Sequence, residues 1–186
     1  MNPIHRIYCR SRRWACHLTD LLPWATADVR LTGQRVLELG SGPGQTTNWL
    51  LPRAGSLTAV EYDTADASAL AARLPNVEVL HADATDLPYP DESFDVVVCF
   101  TMLHHVATTP LQNRLFAEAG RVLRPGGIFA GSDSRWGPLF AVAHIGDTMH
   151  LVNPRTLAPR LVTAGFTEPR IDTRWRTFRF RAIAPS

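Results

Sequence analysis

Lysine is missing from this sequence; all 19 basic residues are arginine. A replacement that complete reads as a coding signal and carries little information about partners. Charge of one sign is also scarce: 17 acidic residues leave a formal net charge of +2, too small an excess to form an electrostatic footprint for nucleic acid. Cysteine is rare. Cys9, Cys16 and Cys99 are odd in number and form no C-x-x-C pair, which argues against a disulfide framework and a zinc module. Cys99 lies in an apolar run and reads as a small buried hydrophobe. Long hydrophobic runs are lacking, so no membrane span is expected. The stretch Trp14–Ala25 is broken by His17, Thr19, Asp20 and Pro23, which spoils it as a signal-peptide core. The expected compartment is the cytoplasm. Internal repeats and low-complexity segments are absent too.

What is present is an ordinary globular composition, 45% hydrophobic and 19% charged over 186 residues, the length of one domain. From Arg35 onward short apolar runs alternate with helical patterns, the rhythm of a parallel sheet covered by helices. Strands are expected at Arg35–Leu39, Leu57–Glu61, Val77–His81, Phe94–Phe100 and Ile128–Ser132, with Phe94–Phe100 the central one. Helices are expected at Gln45–Leu51, at Ala65–Leu74 and from Thr109-Pro110 to the stop at Arg124-Pro125-Gly126-Gly127. Near the end, Thr156 is preferred as a helix cap over Asn153, because it moves Pro159 into the tolerated first turn. Gly165 stops that helix. Ile171–Arg174 and Phe178–Ile183 read as a terminal antiparallel hairpin, its alternating arginines as a solvated edge. Residues 1–30 precede the first strand and read as a helical lid or packing arm, ahead of a domain over 31–186.

The strongest local signal is Val36-Leu37-Glu38-Leu39-Gly40-Ser41-Gly42-Pro43-Gly44, a buried strand ending in alternate glycines that run into a helix. Glycine permits positive φ and close backbone approach, and a helix start offers unpaired N–H groups to an anionic ligand. Alone the pattern is weak, a nucleotide loop or a structural turn. Gln45 stands where a dinucleotide fingerprint wants its third glycine. The second strand ends in Glu61, suited to a ribose diol, and Asp83 closes the third. In a parallel sheet these tips share one edge, so Gly40, Glu61 and Asp83 should converge on one crevice.

With these residues the sequence resembles the class I S-adenosylmethionine-dependent methyltransferases, especially the small-molecule branch typified by ubiquinone and menaquinone biosynthesis enzymes. The likeness rests on Glu38-Leu-Gly40-Ser-Gly42-Pro-Gly44, Glu61, His81-Ala-Asp83-Ala84 and Leu87-Pro88-Tyr89-Pro90-Asp91-Glu92-Ser93-Phe94-Asp95, continuing in Leu103-His104-His105-Val106 and Arg121-Val-Leu-Arg124-Pro125-Gly126-Gly127. It implies an α/β fold: a doubly wound, mostly parallel seven-stranded sheet with an antiparallel last strand. It implies S-adenosyl-L-methionine as methyl donor. Glu38, Gly40, Gly42 and Gly44 would hold its methionine end, with the Phe100 carbonyl on the amine. Glu61 would hold the ribose, and Asp83 with the Ala84 amide the adenine. Tyr62 packs on the adenine or serves as a core aromatic.

Methyl transfer is an in-line displacement that asks the protein to position a nucleophile and take up its proton. His104 and His105 are the candidate catalytic bases, or else pack beneath the site. Asp133 reads as a capping or loop aspartate rather than a substrate contact. The segment 134–153 should cover the acceptor, with Trp136, Phe140 and Met149 as an apolar wall or the core of a small cap. His144, Asp147 and His150 lack the pattern of a metal triad, and no metal is expected. Among the N-terminal arginines Arg6, Arg10, Arg12 and Arg13, a solvated helix face is the reading preferred over a contact to cofactor or acidic substrate.

The expected activity is methyl transfer to oxygen, nitrogen or carbon of a small molecule, because little chain is left over to recognise a polymer. Alternatives are an RNA- or protein-modifying methyltransferase, a non-catalytic cofactor-binding subunit, and a nicotinamide-dependent oxidoreductase, which Gln45 disfavours. Whether the chain is a monomer or a homodimer is left open.

Overall fold

The structure is a computed structural model that describes residues 11–185 together with Ile7 and Cys9. Arg6 and Arg10, and most of the expected lid before Ser11, lie outside the described residues. Seven strands form one sheet in the order β3-β2-β1-β4-β5-β7-β6. They are β1 (Arg35–Leu39), β2 (Ser56–Glu61), β3 (Glu78–His81), β4 (Phe94–Phe100), β5 (Leu123–Ser134), β6 (Thr167–Thr173) and β7 (Thr177–Ile183). The first five run parallel, and β7 is antiparallel to both β5 and β6. Chain order reverses between β1 and β4, so the crevice at their carboxyl ends is the place where such a sheet holds ligands.

The helices are α1 (Arg12–Ala25), α2 (Gln45–Leu50), α3 (Thr64–Arg73), α4 (Thr109–Val122), α5 (Pro138–Ala143) and α6 (Pro154–Thr163). Strand periodicity divides the core between two faces of the sheet. Leu37, Leu39, Val97 and Cys99 pack towards Leu115 and Phe116 of α4 and Leu157 of α6. Val36, Val96, Val98 and Phe100 pack towards Leu18 and Leu22 of α1, Leu50 of α2 and Leu70 of α3. Each side of the sheet thus buries one alternate set of residues, as a doubly wound fold requires.

Several boundaries differ from the sequence expectation. Helix α6 starts at Pro154 on an Asn153 cap whose side chain accepts from the Arg155 amide, and Pro159 lies inside the helix. The bond that Pro159 cannot donate would go to the Arg155 carbonyl, and both residues are exposed, so water can take its place. Helix α4 is capped one residue early, by Thr108. Strand β5 begins at Leu123 because a register shift between Phe94 and Val96 absorbs the Pro-Gly-Gly stretch. Strand β6 starts at Thr167 with Pro169 inside it, tolerated because β6 is the sheet edge. The terminal arginines are not all solvated. Arg179 ion-pairs with Asp28 and Asp172 and donates to the Trp24 carbonyl at 2.6 Å, while the Arg174 guanidinium lies 4.1 Å from the centre of the Trp24 ring. Together they tie α1 to the hairpin.

Arg121 explains the Leu87–Asp91 motif. Its guanidinium donates to the carbonyls of Leu87 and Tyr89 at 2.9 and 2.7 Å and to Asp91 at 2.8 Å, while Glu118 anchors it from behind. A loop between strands is thereby held through its backbone.

Candidate active site

A cleft of about 1760 Å³ opens at the carboxyl ends of the parallel strands. That exceeds a typical single-ligand pocket of roughly 300–1,000 Å³, leaving room for a donor and an acceptor together. Gly40, Gly42, Glu61, Tyr62, Asp83, Ala84, Phe100, His104 and His105 all line it. The strand tips do converge as the sequence argument required.

Glu38 and Gly44 are not among the lining residues, and each acts from behind the loop. The Glu38 side chain is buried, accepting from the hydroxyls of Thr46 and of Thr47, the latter at 2.6 Å. It ties the strand end to the first turn of α2 and braces the loop from behind. Burial pushes its pKa up to about 7 against the pull of the two hydroxyls. Gly44 takes the left-handed conformation (φ 81°) at the start of α2, and a Cβ there would overlap Leu70 and Arg73 of α3. Gly42 also has positive φ (50°), but a Cβ there meets no atom of the described residues within 4 Å; its bare face looks into the cleft.

Glu61 is nearly buried, and Oε2 accepts from the Gly42 amide at 2.6 Å while Oε1 accepts from the Asp63 amide at 2.9 Å. Desolvation raises its pKa, opposed by those two amides. The loop and the second strand are therefore braced together before any ligand arrives. At the tip of β3, Asp83 is exposed and accepts from the Thr85 amide at 2.8 Å; Ala84 beside it is buried. Tyr62 is 74% exposed at the lip of the cleft, which removes its reading as a core aromatic. The Phe100 carbonyl accepts from the Thr101 hydroxyl at 2.8 Å, where Thr101 has φ of 52°. The reading of the loop missed Ser41: its hydroxyl is buried among the lining residues and has no hydrogen-bond partner among the described residues. A polar group in that state fits a ligand with a polar end.

On the far side of the cleft, Leu103–His105 forms a 3₁₀ turn just after β4. Asp133, expected to be an exposed cap or loop residue, is 0% exposed. Strand β5 runs on past Ser132 and pairs Asp133 with Phe178 of β7, which carries the aspartate into the interior. Its carboxylate accepts from the backbone amides of His104 and Ser134 at 2.9 and 2.6 Å, and His104 Nδ1 donates to it at 2.5 Å.

From the segment 134–153, His144 is buried and donates from Nδ1 to the Phe140 carbonyl at 2.7 Å. Its pKa is lowered, chiefly by burial. Phe140 lines the cleft beside it. Trp136 is exposed, and Met149 and His150 are not lining residues; His150 is bonded to Thr109 instead. Arg13 of α1 faces the cleft, so the arm contributes to its wall.

An α/β sheet with this strand order, a glycine loop after β1 and acidic residues at the tips of β2 and β3 defines the class I S-adenosylmethionine-dependent methyltransferases. The methyltransferase domain family model matches residues 37–131, just over half of the chain, and the protein belongs to that family. It is 38% identical over 100 residues to a probable S-adenosylmethionine-dependent methyltransferase of Mycolicibacterium smegmatis, covering 54% of this chain and 38% of the relative. It is 37% identical over 108 residues to the 27-O-demethylrifamycin SV methyltransferase of Amycolatopsis mediterranei, covering 54% of this chain and 39% of that one. The chain therefore spans well under half the length of these curated relatives. In fold it is similar over 99% of both chains to the crystal structure of a SAM-dependent methyltransferase from Aquifex aeolicus, with a TM-score of 0.78 and 17% identity.

Proposed function

We propose that this protein transfers a methyl group from S-adenosylmethionine to a nucleophilic atom of a small molecule. The observation that carries the reading is the convergence on one cleft of the Gly40–Gly42 turn, Glu61 and Asp83, with a histidine pair on the opposite wall. S-adenosylmethionine supplies a methyl group already activated by its sulfonium. The chain's own residues then have to bind, orient and desolvate.

The bare face of Gly42 and the unpartnered Ser41 hydroxyl receive the methionine end. Glu61 meets the ribose hydroxyls, and its existing bonds to Gly42 and Asp63 hold the carboxylate in place for them. Asp83 and the Ala84 amide take the adenine edge, with Tyr62 over its face. In this reading the methyl group lies between the tip of β4 and the helix α5 segment, where His104 and His105 line the acceptor end. Phe140 and the α1 residues Arg13 and Trp14 on the same cleft limit water there, which favours a displacement whose partners are held in line.

No described helix is long and apolar enough to cross a membrane. The relative named as a rifamycin methyltransferase supports a small acceptor. The test is calorimetric titration with S-adenosylhomocysteine, followed by a labelled-donor assay on a metabolite extract with mass identification of the product. Saturable binding and a mass gain of one methylene are expected. Failure to bind S-adenosylhomocysteine would remove the reading.

A further inference from the structure

His104, His105 and His144 bring their ring nitrogens together within 4.8 Å of one another. The first two lie on the 3₁₀ turn after β4, and the third just after α5, so only the tertiary fold assembles them. All three line the cleft.

The hydrogen bonds determine where two of these rings carry their protons. Asp133 already accepts from two backbone amides, which can only donate, and as a carboxylate it accepts from the ring as well. His104 Nδ1, at 2.5 Å from it, must then be the donor. His144 Nδ1 faces the Phe140 carbonyl at 2.7 Å, which also accepts only. In the neutral rings both protons sit on Nδ1, and each Nε2 carries a lone pair. These two Nε2 atoms nevertheless face each other at 3.3 Å. Two lone pairs at that separation need something between them: an extra proton on one ring, or a cation shared by both.

The distance suits a cation. Two Zn–N bonds of ~2.05 Å meeting at a tetrahedral angle put their nitrogens ~3.3 Å apart. The outer bonds have the form that metal-bound histidines require, one ring held by a carboxylate and the other by a backbone carbonyl. His105, whose ring centre lies 4.2 Å from that of His104, is only partly buried. It reaches a shared ion by closing at most ~1.5 Å beyond the ideal nitrogen spacing.

We infer that His104, His105 and His144 form a binding site for a divalent transition metal of the zinc type, held from behind by Asp133 and open towards the acceptor end of the cleft. Three neutral imidazoles suit zinc, copper, nickel or iron rather than magnesium or calcium. With three protein ligands, the fourth tetrahedral position is left for another molecule, the pattern of catalytic rather than structural sites. Resting on the methyl-transfer reading, the acceptor class follows. It is a small molecule whose methyl-accepting centre carries an ionisable oxygen, a phenol, enol or hydroxy-carbonyl, because a bound cation favours the anionic form of such a group.

The experiment is metal binding by the full chain, independent of turnover. Chelator-stripped protein is titrated with zinc chloride by calorimetry and with cobalt chloride by visible absorption, and the same preparation is titrated with S-adenosylhomocysteine. One zinc per chain is expected, with the intense visible band of four-coordinate cobalt. His144→Ala and His105→Ala should each weaken zinc at least about 100-fold, given that losing even an outer-shell partner costs 10–100-fold, and leave S-adenosylhomocysteine affinity unchanged. Should wild-type protein take up no zinc or cobalt while binding S-adenosylhomocysteine, the metal site falls and the methyltransferase reading stands. Zinc uptake without S-adenosylhomocysteine binding sustains the site and removes that reading; binding of neither removes both. Unchanged zinc affinity in both variants overturns the assignment of ligands.

Discussion

Replacing the buried carboxyl of Glu38 by an amide tests the electrostatics beneath the glycine loop. Glu38 is 1% exposed, and burial moves its pKa from 4.5 to about 7 although the Thr46 and Thr47 hydroxyls favour the charged form. The unfolded chain ionises this group near its ordinary value. Between 4.5 and about 7 the native protein therefore holds a proton that the unfolded chain has released. Because the native state binds the more protons in that window, stability falls as pH rises through it. The contribution is fully present below the unfolded value and is lost above the folded one. At about 1.4 kcal/mol for each tenfold change in proton affinity, the displacement from 4.5 to about 7 corresponds to ~3 kcal/mol.

Glu38→Gln keeps the shape and does not titrate. Urea unfolding of both proteins should show the variant gaining about 2–3 kcal/mol on the wild type between about pH 5 and about pH 8. The comparison cancels every group that the two proteins share, Glu61 included. A flat difference, or one that moves towards the wild type as pH rises, would refute the argument that Glu38 is desolvated behind the loop.

Other outcomes follow from the cleft and its supports. Asp83→Ala should weaken S-adenosylhomocysteine by about 1–3 kcal/mol in calorimetry, through a lost adenine contact, with little change in stability because the side chain is exposed. Gly42→Ala and Gly44→Ala should separate binding from folding. At Gly42 the new methyl enters open cleft space, so donor affinity drops while the strain of positive φ costs only about 1–2 kcal/mol. At Gly44 it collides with α3, so the melting temperature drops instead; equal effects on both readouts in the two variants would contradict this division. Arg121→Met should cost about 2–3 kcal/mol in urea unfolding, because the Leu87 and Tyr89 carbonyls lose a charged donor. Donor affinity should be unaffected, since Arg121 is not a cleft residue.

Much of this protein was legible in one dimension wherever a local rule acts alone. The alternation of apolar runs with helical segments identified the parallel strands, and the strand-glycine-helix passage from Glu38 to Gly44 located the ligand loop, because buried strands and positive-φ turns leave residue-level signatures. Element ends were less legible. Pro159 argued for a late start of α6, yet Asn153 and Pro154 together start the helix earlier and the missing bond falls on its exposed side. Strands β5 and β6 extend through Pro-Gly-Gly and Pro169 because a register shift and an open edge accommodate residues that local rules read as breakers.

Side-chain partnerships across the fold were beyond the sequence. Nothing near Asp133 in the chain announces that two further residues of pairing with β7 bury it and hand its carboxylate to His104. Likewise His144, 40 residues from His104, meets it only because α5 folds over the tip of β4. Sequence decides which segments become strands, helices and turns, since those preferences arise from neighbours along the backbone. Tertiary structure alone decides which buried charges and rings share a site, since desolvation and hydrogen-bond direction depend on groups that are distant in the chain.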